Sequence, residues 1–117
     1  MSRDDQAYIH DIILSARLIA SYTRDRAFSD FEADTAFQDA VIRRLSIIGE
    51  AVRGLSPQAQ AQAPQVPWRQ IVHARNIMIH VYHGVDLERA WQMATIHVPD
   101  LLVALAQAFP DISGSAQ

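Results

Sequence analysis

Four residues near the middle of the chain, Arg75, Asn76, His80 and Tyr82, have types and spacing that could do chemistry. An imidazole titrates near neutrality and can take or return a proton, and a guanidinium carries a fixed charge on a planar fork that matches phosphate. Asn76, four residues before His80 and on the same helical face, can orient it or hold a phosphate oxygen. With no nucleophilic Ser or Cys beside it, this set suits one reaction well, the cleavage of RNA by its own 2′-hydroxyl. There His80 takes the 2′-OH proton or protonates the leaving 5′-oxygen, and Arg75 stabilises the phosphorane. On a helix His80 lies about 140° and about 7.5 Å beyond Arg75, so the two side chains diverge within one chain. Across a two-fold axis, Arg and His from facing helices can converge, which points to a composite site in a homodimer.

The helix that must carry these residues, from Pro67 or Trp68 to His83, is apolar over an arc of roughly 220° at about 100° per residue. Arg69, His73, Asn76, His80 and His83 fill the narrow remaining strip. So wide an arc predicts a second buried face, either centrally in the bundle or against another chain. Arg75 projects from the middle of that arc, and a guanidinium cannot be buried unpaired, because it cannot lose its proton. Its expected partner is Glu50 as a structural ion pair, or a phosphate held for function.

The remaining elements read as helices. Apolar residues at 8, 9, 12, 13, 16, 19 and 20 give a helix over 4–24, with Asp4 and Asp5 favouring its N-terminal dipole. Ser29 with Glu32 reads as a capping box that opens a second helix, whose stripe of Phe37, Val41, Leu45, Ile48 and Val52 ends at Gly54 as a C′ glycine. Gly49 sits on that stripe, where the missing Cβ allows a close approach. Residues 55–67 form a connector in which Ser56 and Pro57 can start a short helix. Asp86 caps a last helix, kinked or restarted at Pro99, and 111–117 read as a flexible tail. The expectation is one all-α domain over residues 1–110, an up-and-down four-helix bundle with a short connector helix and a kinked last helix. Trp68 and Trp91, both at helix starts, are expected to be core anchors.

Composition narrows the function. The 117 residues are half hydrophobic, with ten basic side chains, all arginine, against thirteen carboxylates, a formal charge of -3. That balance lacks the broad cationic surface of a general nucleic-acid binder and predicts a shallow salt dependence, with any polyanion met at a small local site. The absence of cysteine excludes disulfides, thiolate metal sites and Cys nucleophiles. The apolar runs are too broken to span a membrane and the N-terminus lacks a signal-peptide core, so a cytoplasmic protein is expected.

The stretch from Pro67 to Asp86 resembles the HepT-type branch of the HEPN superfamily, whose Arg-x4-His-x-Tyr signature is matched by Arg75, His80 and Tyr82, with Asn76 directly after the Arg. Segments 40–51, 86–91 and 98–101 extend the resemblance over nearly the whole chain. It implies the toxin half of a toxin-antitoxin module, a metal-independent RNase acting as a homodimer, with Arg75 and His80 as the catalytic pair and Asn76 assisting. It also implies a nucleotidyltransferase antitoxin of the MNT type that transfers AMP from ATP to Tyr82. Two turns from Arg75 and at nearly the same helical angle, adenylates on Tyr82 would crowd the site.

Other readings compete. His73, Asn76, His80 and His83 share a face, yet only His80 and His83 lie within one turn and no carboxylate joins them, so a solvated strip is favoured over a metal site. Glu50 belongs either to an exposed charge network with Arg43 and Arg53 or, with His83, to the surroundings that position Arg75 and His80. The alternative function is a non-catalytic helical subunit that binds and regulates a nucleotidyltransferase; a third is a nucleotide-binding accessory domain. No cofactor is expected.

Overall fold

The computed structural model of the protein describes residues 1–79 and 86–115. Among these every regular element is helical: α1 (Arg3–Thr23), α2 (Phe28–Ala33), α3 (Thr35–Gly54), α4 (Pro57–Ala61), α5 (Trp68–Ile79), α6 (Leu87–Gln92), a π-helical turn (Met93–His97), α7 (Val98–Ala108) and α8 (Pro110–Ser115). The two 20-residue-class helices, α1 and α3, form the main seam, in which Ile9, Ile12, Ile13, Ala16 and Ile19 meet the stripe Val41, Leu45, Ile48 and Val52. The last long rod, α6 through α7, packs on α1 and α3, and α5 packs chiefly on α3, which completes a four-helix all-α bundle. No described helix is long and apolar enough to cross a membrane.

Local chemistry explains the boundaries. Ser2, Asp34, Ser56 and Asp86 each accept a backbone N–H three residues on, satisfying one of the unpaired donors that open a helix. Asp34 overturns the expectation of one helix starting at Ser29. Its carboxylate takes the Phe37 N–H at 3.1 Å, so α3 starts at Thr35, while α2 starts at Phe28 with the Ala27 N–H donating to Asp30 at 2.8 Å. The resulting corner brings Phe28, Phe31 and Phe37 around Trp91, with ring centroids 5.2–6.5 Å apart.

Gly54 differs too. It is the last residue of α3 and not a left-handed cap beyond it, and it is small because the Tyr8 ring lies where its Cβ would be, 2.6 Å away. The break ahead of Pro99 takes the form of the π-helical turn 93–97, since a proline N cannot donate and its ring displaces the carbonyl four residues back. Beyond it, residues 110–115, expected to be tail, form α8. Its Ser113 is buried and receives two hydrogen bonds from the Arg17 guanidinium, at 2.8 Å to the carbonyl and 3.1 Å to the hydroxyl.

Candidate active site

The site is built where α5 crosses α3. Gly49 on α3 lets the two helices approach so closely that a Cβ there would sit 2.5 Å from Cγ and 2.8 Å from Cβ of Arg75. The aliphatic stem of Arg75 therefore lies directly on the α3 backbone, and its head is fixed at the edge of the crossing. Nη2 donates to Glu50 Oε1 at 3.0 Å and Nη1 donates to Asn76 Oδ1 at 3.2 Å. The expected Arg75–Glu50 pair is present and asymmetric, with the Arg75 side chain 17% exposed and that of Glu50 65% exposed.

That asymmetry matters chemically. Glu50 is solvated, so the pair contributes little to folding, and the carboxylate can leave the fork at small cost. The Arg75 Nε–H is buried and has no acceptor among the described residues. A buried donor without a partner carries a desolvation cost of about 1–3 kcal/mol that an incoming anion would recover. The arrangement is thus a guanidinium held by its stem, with one arm tied to an amide and the other to a displaceable carboxylate. A phosphate exchanging with Glu50 would meet a preorganised cation.

His80, Tyr82 and His83 lie outside the described residues, so the geometry of the site extends from Gly49 to Asn76. Trp68 is 7% exposed, with its indole N–H donating to the carbonyls of Gln60 and Ala63, and Trp91 sits in the aromatic cluster.

Two depressions flank Arg75. One, of about 500 Å³, runs between α5 and α7 over a floor of Leu45 and Ile48, with Ile71, Ala74, Met93 and Leu101 on its walls. It is the physical form of the wide apolar arc: among the described side chains of α5 only Trp68 and Met78 are fully buried, whereas Ile71, Val72, Ala74 and Ile77 are half-buried. Ile96 and Val103, 55% and 59% exposed, belong to the rod that forms its far wall. The other, of about 390 Å³, lies between the end of α3 and the start of α5, where Arg53 and Arg69 meet His73 and Asn76. Composition and spacing did not reveal this second groove. Its only sequence signal is that Arg53 and Arg69 stand at the two ends of the connector.

A helical bundle that holds an arginine at a glycine-gated helix crossing, with an Asn beside it, is the arrangement of a HEPN-type protein. Residues 12–108 match the family described as ribonuclease HepT-like, and the chain belongs to that family. Among its relatives, a Thermococcus cleftensis protein named as a probable ribonuclease HepT is 38% identical over 101 residues, covering 86% of this chain and 92% of the relative. A Methanocaldococcus jannaschii protein named as a candidate RNase is 35% identical over 112 residues, covering 96% and 93%. A second protein of that organism, named as a gamma-glutamylcyclotransferase and candidate RNase, is 38% identical over 101 residues, and this chain spans 46% of its length. No solved structure matches the chain.

Proposed function

We propose that the protein is the toxin of a toxin-antitoxin pair, a metal-independent endoribonuclease that acts as a homodimer in the cytoplasm. The observation that carries this reading is the Arg75 guanidinium, fixed on Gly49 with an unpartnered buried Nε–H and a displaceable Glu50, in a chain of the HepT-like family. In the reaction His80 takes the proton of an RNA 2′-hydroxyl, and the 2′-oxygen attacks the adjacent phosphorus. The P–O5′ bond then breaks, leaving a 2′,3′-cyclic phosphate and a 5′-hydroxyl once O5′ gains a proton. Arg75 stabilises the extra charge on the phosphorane oxygens, and Asn76 holds the guanidinium in place.

The homodimer is supported by the half-buried face of α5 and the apolar depression beside it, which a second copy would cover. Control would come from a nucleotidyltransferase partner: the Tyr82 oxygen attacks the α-phosphorus of ATP, pyrophosphate leaves, and AMP remains on the ring beside the Arg75 site.

The test is RNA cleavage by purified protein in excess chelator, compared with His80→Ala. Loss of cleavage by a folded dimer supports the reading, and equal cleavage removes His80 from the mechanism. For Tyr82, incubation with the partner and ATP is expected to add whole multiples of an AMP residue to the mass, an increase that Tyr82→Phe abolishes.

A further inference from the structure

The low cationic content of the chain predicts that Arg75 meets RNA nearly alone, yet folding brings two more arginines together. Arg53 at the end of α3 and Arg69 in the first turn of α5 are 16 positions apart and line the same groove of about 390 Å³. Both are exposed, and neither pairs with a carboxylate among the described residues. No Asp or Glu lines the groove; its other polar contributors are Gln60, His73 and Asn76. In a chain of formal charge -3, such a carboxylate-free cluster is a local reversal of the overall field.

The groove is also continuous with the candidate active site. Arg69, His73 and Asn76 stand at i, i+4 and i+7 and so form one stripe of α5. At its end Asn76 accepts from Arg75 Nη1. An anionic chain laid along that stripe would pass from the Arg53–Arg69 groove to the Arg75 fork in about 9 Å, the rise between residues 69 and 75.

We propose that this groove is a binding subsite for the RNA backbone, in which Arg53 and Arg69 hold a phosphodiester flanking the one at Arg75. The assignment rests on the ribonuclease reading for its ligand, and its test is independent of cleavage. A polyanion with regularly repeated charge fits two free guanidinium groups placed to one side of a third, and each phosphate neutralised releases counterions from the strand. The site explains how a protein with weak bulk attraction for RNA can still hold a strand in register across Arg75.

The experiment measures the affinity of the full-length protein for a single-stranded oligoribonucleotide that is 2′-O-methylated throughout and so cannot be cut by its own 2′-oxygen. Binding is followed by fluorescence anisotropy over a range of salt concentrations. Arg53→Ala/Arg69→Ala is expected to weaken binding about tenfold or more at low salt and to reduce the slope of log K against log salt by about 1.4, from about 0.7 for each of two lost phosphate contacts. The charge-matched Arg24→Ala/Arg26→Ala variant, altered at the opposite end of α3, is expected to change affinity by less than about threefold and to leave the slope unaltered. Equal behaviour of the two double variants overturns the proposal, as does failure of the wild-type protein to bind the oligonucleotide. Arginine-dependent binding without cleavage of unmodified RNA would retain the groove and reject the ribonuclease reading. Cleavage with binding indifferent to Arg53 and Arg69 would do the reverse. Arg53→Lys/Arg69→Lys, which keeps the charge, is expected to restore most of the salt slope.

Discussion

The α1–α3 seam and its aromatic end differ from the α3–α5 crossing in almost every physical respect. At the aromatic end Phe31 is fully buried, with three rings around it. At the crossing the contact is a glycine against the stem of an arginine, flanked by half-buried apolar residues and two open depressions. One region gains its free energy from excluded water and close packing, and the other gives up packing to hold charge in a fixed place. Stability and chemistry therefore reside on opposite sides of α3, and substitutions should separate them.

The largest effect is expected at Phe31. Phe31→Ala removes a fully buried ring from the cluster and should cost about 3–5 kcal/mol of unfolding free energy by chemical denaturation. The RNase activity of the fraction that remains folded should be unchanged. Arg75→Ala is the mirror image. It should lower the cleavage rate about 10²–10³-fold, or about 3–4 kcal/mol of transition-state stabilisation. Because its partner Glu50 is 65% exposed, unfolding free energy should change by less than about 1 kcal/mol. If Arg75→Ala unfolded the protein while leaving specific activity intact, the division between the two regions would be wrong.

Gly49→Ala tests the boundary itself. Alanine favours a helix interior by roughly 0.5–1 kcal/mol, but its Cβ would lie 2.5 Å from Arg75 Cγ, a contact that only a shift of the Arg75 stem relieves. The net change in stability should be small. Displacing the guanidinium by about 1 Å should cost roughly 10–100-fold in cleavage rate. The same substitution at Gly54 would strike the Tyr8 ring, 2.6 Å from the new atom, and should lower stability without touching activity.

How far the sequence reveals these two regions follows from the range of the interactions involved. The crossing was legible because an arginine inside an apolar arc demands a partner, and a glycine on a facing stripe marks a close approach. Glu50 and Gly49 met both demands. The four long helical rods follow from periodicity alone. The start of α3 was not legible: Ser29-x-x-Glu32 is a good local capping pattern, and the choice of Asp34 is made by packing Phe28, Phe31 and Phe37 around Trp91, which lies more than fifty positions away. The Arg53–Arg69 groove was hidden for the same reason, since only the fold of the connector brings the two side chains together. The docking of Ser113 onto Arg17 likewise depends on residues at opposite ends of the chain.

The smallest expected effect lies at the base of the stable region, and its dependence on pH distinguishes it from the others. Asp5 is buried at the start of α1, where its carboxylate accepts from the Ser56 N–H at 2.9 Å and the Ser56 hydroxyl at 2.7 Å. The Ser56 backbone N–H, foremost, and then the Ser56 hydroxyl hold its carboxyl below the ordinary value, outweighing the opposing effect of burial. A carboxyl whose pKa is lower folded than unfolded contributes stability that is present above the unfolded value, about 3.9, and lost as pH falls through the folded value. The wild-type denaturation midpoint should therefore decline on acidification below about pH 4, and Asp5→Asn should flatten that limb while lowering the plateau at neutral pH. Because Asp5 anchors α1 to the α3–α4 junction and does not touch α5, the pH profile of RNA cleavage should be the same in both proteins. A shifted cleavage profile in Asp5→Asn would mean that the connector transmits strain from the stable side of α3 to the Arg75 crossing. The two regions would then be coupled through Ser56 and the short helix α4 that it caps.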